Sequence, residues 1–246
     1  MRFCCLGSGS RGNAFVVEYG ATTLLVDCGF KPSDLRRRLA RHFIALSEID
    51  AVLIGHEHGD HTAGLESLAA AGIAAYMTSG TARALNFRGA RTVRSGDPLH
   101  IGDLHIAPVT VPHDAGEPVQ FVFGGRLGIF TDLGHITPAV RNACRGLRAM
   151  IIECNYAADM LAANNRYPAR LKKRIAGKYG HLENDAAAEL VARVDSARLR
   201  YVVAAHLSEH NNAEARVRKT LSRACDSQKI TVADQKNGSE WIAVPA

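Results

Sequence analysis

The segment His56-Glu57-His58-Gly59-Asp60-His61 constrains this chain more than any other. It reads His-x-His-x-Asp-His and follows the apolar run 49–55, which closes on Gly55. An apolar run closed by glycine is how a buried strand delivers residues to a loop at a sheet edge. Three imidazoles and a carboxylate crowd that loop, all good ligands for a first-row divalent metal. In extended backbone His56 and His58 point to one side, because strand side chains alternate, so the two can grip one ion. Asp60 and His61 come after the chain has begun to turn and can face a second ion. Residues 62–69 then carry apolar positions at helical spacing, with Thr62 placed to act as N-cap. The competing reading is a surface loop that is rich in His by accident. Only eleven His occur in the chain, and three of them fall here at ligand spacing beside an Asp.

The bulk of the sequence limits what can surround this loop. Its 246 residues are 47% hydrophobic, enough for a real core, and the pattern predicts one domain over 1–246. No apolar run approaches bilayer length, and no leader pattern opens the chain. A soluble cytoplasmic protein without a membrane partner is therefore expected. The six cysteines include no Cys-x-x-Cys pair and fit free thiols in a reducing compartment. The formal charge is +6. Arginine and lysine cluster at 36–41 and again at 166–178, where Arg170, Lys172, Lys173 and Arg174 lie. The first cluster reads as a solvated helix face. The second, close to other polar residues of interest, suits a polyanionic substrate such as nucleic acid.

Strand patterns cover 2–6, 14–19, 22–27, 74–77, 104–111, 119–123, 127–131, 149–153, 201–205, 230–232 and 241–244, besides the motif strand. A helix with apolar positions Leu35, Leu39 and Phe43 follows the third strand. Others are predicted over 138–144, 186–194 and 213–224. Two blocks of strands, each with helices, predict two packed sheets with helices outside. Gly7-Ser8-Gly9-Ser10-Arg11-Gly12 matches Gly-x-Gly-x-x-Gly, but a strand-like segment follows where a dinucleotide fold needs a helix. It reads as a tight turn whose amides can approach an anion.

Two ions need more ligands than one loop supplies. His113, Asp132 and His206 each stand just beyond a buried strand. Singly, each reads as a cap or turn residue. Together with the His-rich loop they give five His and two Asp, enough for two ions with Asp132 bridging. The donors are nitrogen and oxygen only, which suits Zn²⁺, Mn²⁺ or Fe.

This constellation resembles the metallo-β-lactamase superfamily across nearly the whole chain. The resemblance implies an αββα sandwich with two mixed sheets flanked by helices and a dinuclear site at one edge. It assigns His56, His58 and His113 to one ion, Asp60, His61 and His206 to the other, and Asp132 as bridge. Finer motifs are similar to the YycJ/WalJ/VicX family. They are Ser8-Gly9-Ser10-x-Gly12-Asn13, Glu153-x-Asn155-Tyr156, Tyr167-Pro168-x-x-Leu171-Lys172-x-Arg174, Gly180-His181-Leu182-x-Asn184 and His206-Leu207-Ser208-Glu209-x-Asn211-Asn212. That resemblance implies 5′→3′ exonuclease activity on DNA ends and a relation to phosphoribosyl cyclic phosphodiesterases. It makes Ser8, Asn13, Asn155, Lys172, Arg174, His181 and Asn212 candidate substrate contacts. Two positions depart from the family pattern: Ala157 stands where Asp is usual, and Glu183 where Ser is usual. Ribonuclease J-type enzymes, ribonuclease Z and glyoxalase II fit less well, because their inserted or appended segments have no counterpart here.

Two adjacent cations acidify a shared water and neutralise charge growing on a phosphodiester, so the expected chemistry is in-line attack by a metal-bridging hydroxide. The leaving oxygen needs a proton, and His181 is the candidate donor, with His210 second. Asp60 and His181 are thus the residues assigned to catalysis. The alternatives are a small-molecule cyclic phosphodiesterase, a ribonuclease, or a scaffold that binds metal or DNA without catalysis. A structural metal site fills its coordination with protein ligands and rarely needs two ions, which argues against the last.

Overall fold

A computed structural model describes residues 1–245. The first half of the chain forms β1 (Arg2–Gly7), β2 (Ala14–Tyr19), β3 (Thr22–Val26), α1 (Pro32–Arg41), β4 (Ala51–Leu53), α2 (Gly59–Thr62), α3 (Leu65–Ala70), β5 (Ala74–Met77), α4 (Ser79–Ala84) and β6 (Arg91–Thr92). The second half forms β7 (Leu99–Ile101), β8 (Leu104–Thr110), β9 (Val119–Phe123), β10 (Leu127–Phe130), α5 (Pro138–Ala143), β11 (Ala149–Glu153), α6 (Ala158–Ala163), α7 (Ala169–Ile175), α8 (Asn184–Arg193), β12 (Tyr201–Ala205), α9 (Glu214–Leu221), β13 (Ile230–Val232) and β14 (Ile242–Ala243). One seven-stranded sheet has the order β14-β1-β2-β3-β4-β5-β6, and the other β13-β12-β11-β10-β9-β8-β7.

Each sheet is antiparallel on one side and parallel on the other. The strands β3 to β6, and again β10 to β13, run parallel. Parallel neighbours need long crossovers, and here these cover the outer faces with helices. The inner faces meet in a core that includes Phe3, Phe15, Leu53, Phe121, Phe123 and Ile151. Outside the first sheet, Leu35, Leu39, Leu65 and Leu68 of α1 and α3 cover Cys4, Val16, Leu25 and Val52. Outside the second, Val140, Leu190, Val191, Val217 and Leu221 of α5, α8 and α9 cover Met150, Ile152 and Val202. The result is the αββα sandwich expected from the resemblance. All six cysteines are free, and Cys4, Cys5, Cys28, Cys144 and Cys154 are buried. Among the described residues no helix is long and apolar enough to cross a membrane.

Local expectations fail in informative places. Phe43 does not join the core: α1 ends at Arg41, Phe43 takes a φ of +59°, and its side chain is 95% exposed. The left-handed residue reverses the chain so that Ile44 is buried instead. Thr62 is not an N-cap. The helix begins at Gly59 with His58 as cap residue, and the Thr62 hydroxyl donates back to the His58 carbonyl at 3.1 Å. The first basic cluster is not wholly solvated either. Arg38 is buried, donates to the Leu6 carbonyl at 2.6 Å and stacks on Phe30. The short α2, α4, α6 and β6 escape detection because they are too brief to show a period.

Both departures from the family pattern fall at helix starts. Ala157 is the N-cap of α6 and Glu183 the N-cap of α8, each in extended backbone with no side-chain cap hydrogen bond. Asp or Ser there would accept from a first-turn amide of its own helix, which Ala cannot do and Glu183 does not, its carboxylate meeting the Ala158 amide of α6 instead. Restoring the cap with Glu183→Ser is therefore expected to raise stability by about 1 kcal/mol. A urea unfolding midpoint that fails to rise would show that α8 gains nothing from a cap.

Candidate metal centre

The candidate site collects along one edge of the two sheets, mostly at the C-terminal ends of parallel strands, where α/β sheets open a crevice for ligands. Asp27 follows β3, residues 56–61 follow β4, His113 follows β8, Asp132 follows β10, Glu153 ends β11 and His206 follows β12. Three of these strand ends break sharply. Asp27, Asp132 and His206 have φ of +58°, +55° and +54°. Asp and His tolerate this region better than most residues, yet it costs about 1–3 kcal/mol per position. The turn swings each side chain off the sheet and into the crevice.

His56, His58 and His113 form one cluster, with ring centroids 4.6, 4.8 and 5.0 Å apart. Asp60, His61 and His206 form a second. Asp132 groups with His56 and His61, and also with Glu153, His181 and His206. All seven expected ligands are thus brought together.

The proton inventory says which atoms remain free. A carbonyl or ionised carboxylate only accepts, so the imidazole nitrogen facing it must donate. His61 Nδ1 donates to Asp27 Oδ2 at 2.8 Å, His206 Nδ1 to Glu153 Oε1 at 2.9 Å, and His113 Nδ1 to the Gly180 carbonyl at 3.0 Å. Each ring keeps Nε2 for a ligand. This is the pattern by which outer partners fix the tautomer of metal-binding histidines. His113 Nε2 lies only 3.2 Å from His58 Nδ1. His56 Nε2 and Asp132 Oδ2 are buried without a hydrogen-bond partner, although His61 Nε2 lies 3.1 Å from the latter. Orphaned buried acceptors aimed at one another fit divalent cations between them.

The electrostatics agree. Burial lowers the pKa of His56 and His113 and holds them neutral, as metal ligands must be. Burial opposes charge on His61 and His206 too, but carboxylates overcome it. Asp132 and Asp27 raise His61, and Asp132, Asp60 and Glu153 raise His206. Burial works against the Asp132 carboxylate as well, yet His206 and His61 hold its pKa well below the usual range. The crevice draws positive charge to its centre, which divalent ions would supply.

The centre floors an open cavity of about 220 Å³ whose lining includes His58, Asp60, Asp132, Tyr167, Arg174 and His181. His181 Nδ1 donates to Glu153 Oε1 at 2.8 Å. Arg174 also pairs with Asp114 at 2.6 Å. Lys172 turns away, donating to the Ala162 carbonyl at 2.6 Å. The other expected substrate contacts are buried in the framework. Ser8 Oγ donates to Asn13 Oδ1 and accepts from the His206 amide; Asn13 Nδ2 reaches Gly9 O and Asp60 Oδ2. Asn155 Nδ2 donates to the His206 carbonyl, and Asn212 Nδ2 to Cys154 O and Asn184 Oδ1. These four brace the loops that carry the ligands. Asp27 and Glu153 escaped the sequence reading as site residues. The signal was available, since both obey the rule of a polar residue at a buried strand's end that singled out Asp132.

The sequence profile of the beta-lactamase superfamily domain matches residues 22–206, from β3 to His206. This chain belongs to the beta-lactamase superfamily. Exodeoxyribonuclease YycJ of Bacillus anthracis is 29% identical over 245 residues, covering 95% of this chain and 92% of that protein. Exodeoxyribonuclease WalJ of Streptococcus pneumoniae is 30% identical over 233 residues, covering 89% of this chain and 86% of that protein. The metallo-beta-lactamase fold protein YhfI from Bacillus subtilis superposes with a TM-score of 0.76 at 17% identity and 98% coverage of both chains, a likeness of fold. Superfamily membership and these relatives make the chain a metal-dependent hydrolase.

Glu153 is the keystone among the outer partners. Its Oε1 accepts from His181 and His206, and its Oε2 from the amides of Leu133 and Leu182 at 2.9 and 3.1 Å. Glu153→Gln keeps the shape but turns an NH₂ against two donors. We expect it to weaken metal affinity or activity by about 10–100-fold. Titration calorimetry with Mn²⁺ or Zn²⁺ checks this, and unchanged affinity with unchanged turnover would refute it.

Proposed function

We propose that this hydrolase is a dinuclear-metal phosphodiesterase that degrades DNA from its ends in the 5′→3′ direction. The carrying observation is the pair of His/carboxylate clusters meeting at Asp132 on the floor of an open cavity. The relatives named exodeoxyribonucleases, alike over nearly the full length, support the substrate class.

In this reading His56, His58 and His113 would hold one ion and Asp60, His61 and His206 the other, with Asp132 within reach of both clusters. A pair of Zn²⁺ or Mn²⁺ ions bound there supplies an acidified water and neutralises charge growing on the phosphodiester oxygens. The chain's own residues do the rest. Asn13 and Ser8 hold Asp60 and the His206 loop in place. His181 gives a proton to the leaving oxygen. Burial opposes its charged form, but the Glu153 carboxylate outweighs burial and raises its pKa. With Nδ1 held by Glu153, the proton on Nε2 is the one available for transfer. A second reading is hydrolysis of a small cyclic phosphodiester, since the same clusters floor a cavity of about 220 Å³ that Tyr167, Leu171 and Ile175 also line. End-labelled oligonucleotides assayed with Mn²⁺ or Zn²⁺, beside a ribose cyclic phosphate, separate the two. Release of the 5′-terminal nucleotide first supports the exonuclease. Opening of the cyclic phosphate with oligonucleotides left intact supports the alternative.

Asp132→Ala is expected to abolish hydrolysis while leaving the fold largely intact. Retention of more than a small fraction of the wild-type phosphodiesterase rate would remove Asp132 from the site. His181→Ala is expected to slow turnover on DNA by ~10²–10⁴-fold, with metal content unchanged. A p-nitrophenyl phosphodiester, whose leaving group needs little protonation, should lose much less. Equal losses on both substrates exclude His181 as proton donor.

A further inference from the structure

We infer that the strand beyond the scissile phosphate leaves the metal centre between Ser10 and Asp60 and runs along a basic groove past Arg11, Lys31 and Lys236. This rests on the nuclease reading above and names the path its substrate takes.

The groove is continuous with the metal cavity. Ser10 and Asp60 line that cavity and also an adjoining depression of about 380 Å³, which Arg11, Gly29, Phe30 and Lys31 complete. Arg11 and Phe30 in turn line a third depression of about 320 Å³ that ends at Lys236.

The Gly-rich turn builds the crest between these hollows. Gly9 and Gly12 have φ of +150° and +148°. A Cβ on Gly12 would come within 2.5 Å of the Gly29 carbonyl, and one on Gly9 within 2.7 Å of Gln235 Oε1. Only glycine lets the turn lie this flat. Gln235 clamps it, accepting from the Arg11 amide at 2.7 Å and donating to Gly12 O at 2.8 Å. Ser10 and Arg11 are left exposed at the crest.

The charges along the groove are available. Lys31 and Lys236 are exposed and take part in no ion pair among the described residues. Arg11 pairs with Glu209 at 3.4 Å, but both side chains are more than half exposed, at 68% and 58%, so a phosphate can displace the carboxylate cheaply. The one acid in the groove beyond the metal centre, Asp34, is already held by Arg37 and Arg38. The opposite wall differs. Arg174 makes two close contacts to Asp114 and Lys172 one to a carbonyl, while Tyr167, Leu171 and Ile175 line the cavity. That apolar wall suits one terminal nucleoside, and the basic groove suits a phosphate backbone.

The test uses single-stranded oligonucleotides from about two to about twenty nucleotides, bracketing common single-strand site sizes of about 4–16. Wild-type KM should fall as length grows. In Lys31→Gln/Lys236→Gln that gain with length should largely vanish, and the salt dependence of binding the longest substrate should lose roughly 1.4 log units per log unit of salt, about 0.7 per contact. The comparison pair Arg170→Gln/Lys173→Gln, on α7, should keep the wild-type length dependence. If the groove pair keeps it, or the α7 pair loses it instead, the path is wrong although the nuclease reading stands. If wild-type enzyme cuts no oligonucleotide of any length and opens cyclic phosphates, both fall together.

Discussion

The architecture depends on one electrostatic problem, the burial of Asp132. Its side chain is 2% exposed, and one oxygen has no hydrogen-bond partner. An ionised carboxylate taken out of water costs several kcal/mol unless charge and hydrogen bonds compensate. Here compensation converges from His61, His181 and His206, at 3.1 to 3.7 Å, with the neutral His113 ring 3.9 Å away. Those rings are themselves fixed by Asp27, Glu153 and the Gly180 carbonyl. Removing any one charge leaves the others uncompensated. The centre therefore behaves as a single unit, and single substitutions within it should not have additive effects.

A site with this much charge needs a rigid frame, and the two sheets provide it. Close-packed apolar layers hold the strand ends in register, so the left-handed turns at Asp27, Asp132 and His206 cannot relax. Polar residues then tie one strand end to another. The Ser8 hydroxyl joins the first sheet to the His206 amide of the second, and Asn13 joins the Gly-rich turn to Asp60. The family resemblance brought Ser8, Asn13, Asn155 and Asn212 forward as residues that touch substrate. Burial makes them braces instead, because every one of them is at least nine-tenths covered and bonded to protein.

This explains what was legible from sequence. Strands buried on both faces write themselves as apolar runs, so β4, β10, β11 and β12 were plain, and so were Asp132 and His206 just beyond β10 and β12. His56 through His61 declared the chemistry because ligands packed in one loop are local in sequence. Asp27 and Glu153 stand at strand ends as Asp132 does, but they serve through a histidine, and that role is a matter of contact, which spacing does not encode. Phe43 misled for a related reason: helical period continued through it, while a left-handed residue had already turned the chain.

The same distinction bears on the basic residues. Charge runs in a sequence mark helices such as α1 and α7, yet several cations there are tied to whatever lies nearest. Arg38 is consumed by the Leu6 carbonyl and Phe30, Lys172 by Ala162, and Arg174 by Asp114. Arg11, Lys31 and Lys236 belong to no run, and they lie far apart in the chain. The fold assembles them by pressing a glycine turn against the start of α1 and against the loop at Gln235. A phosphate backbone responds to the field at its own path, not to the density of charge along a sequence. The isolated cations around the Gly-rich turn line hollows continuous with the metal centre, which is what a path for a strand requires.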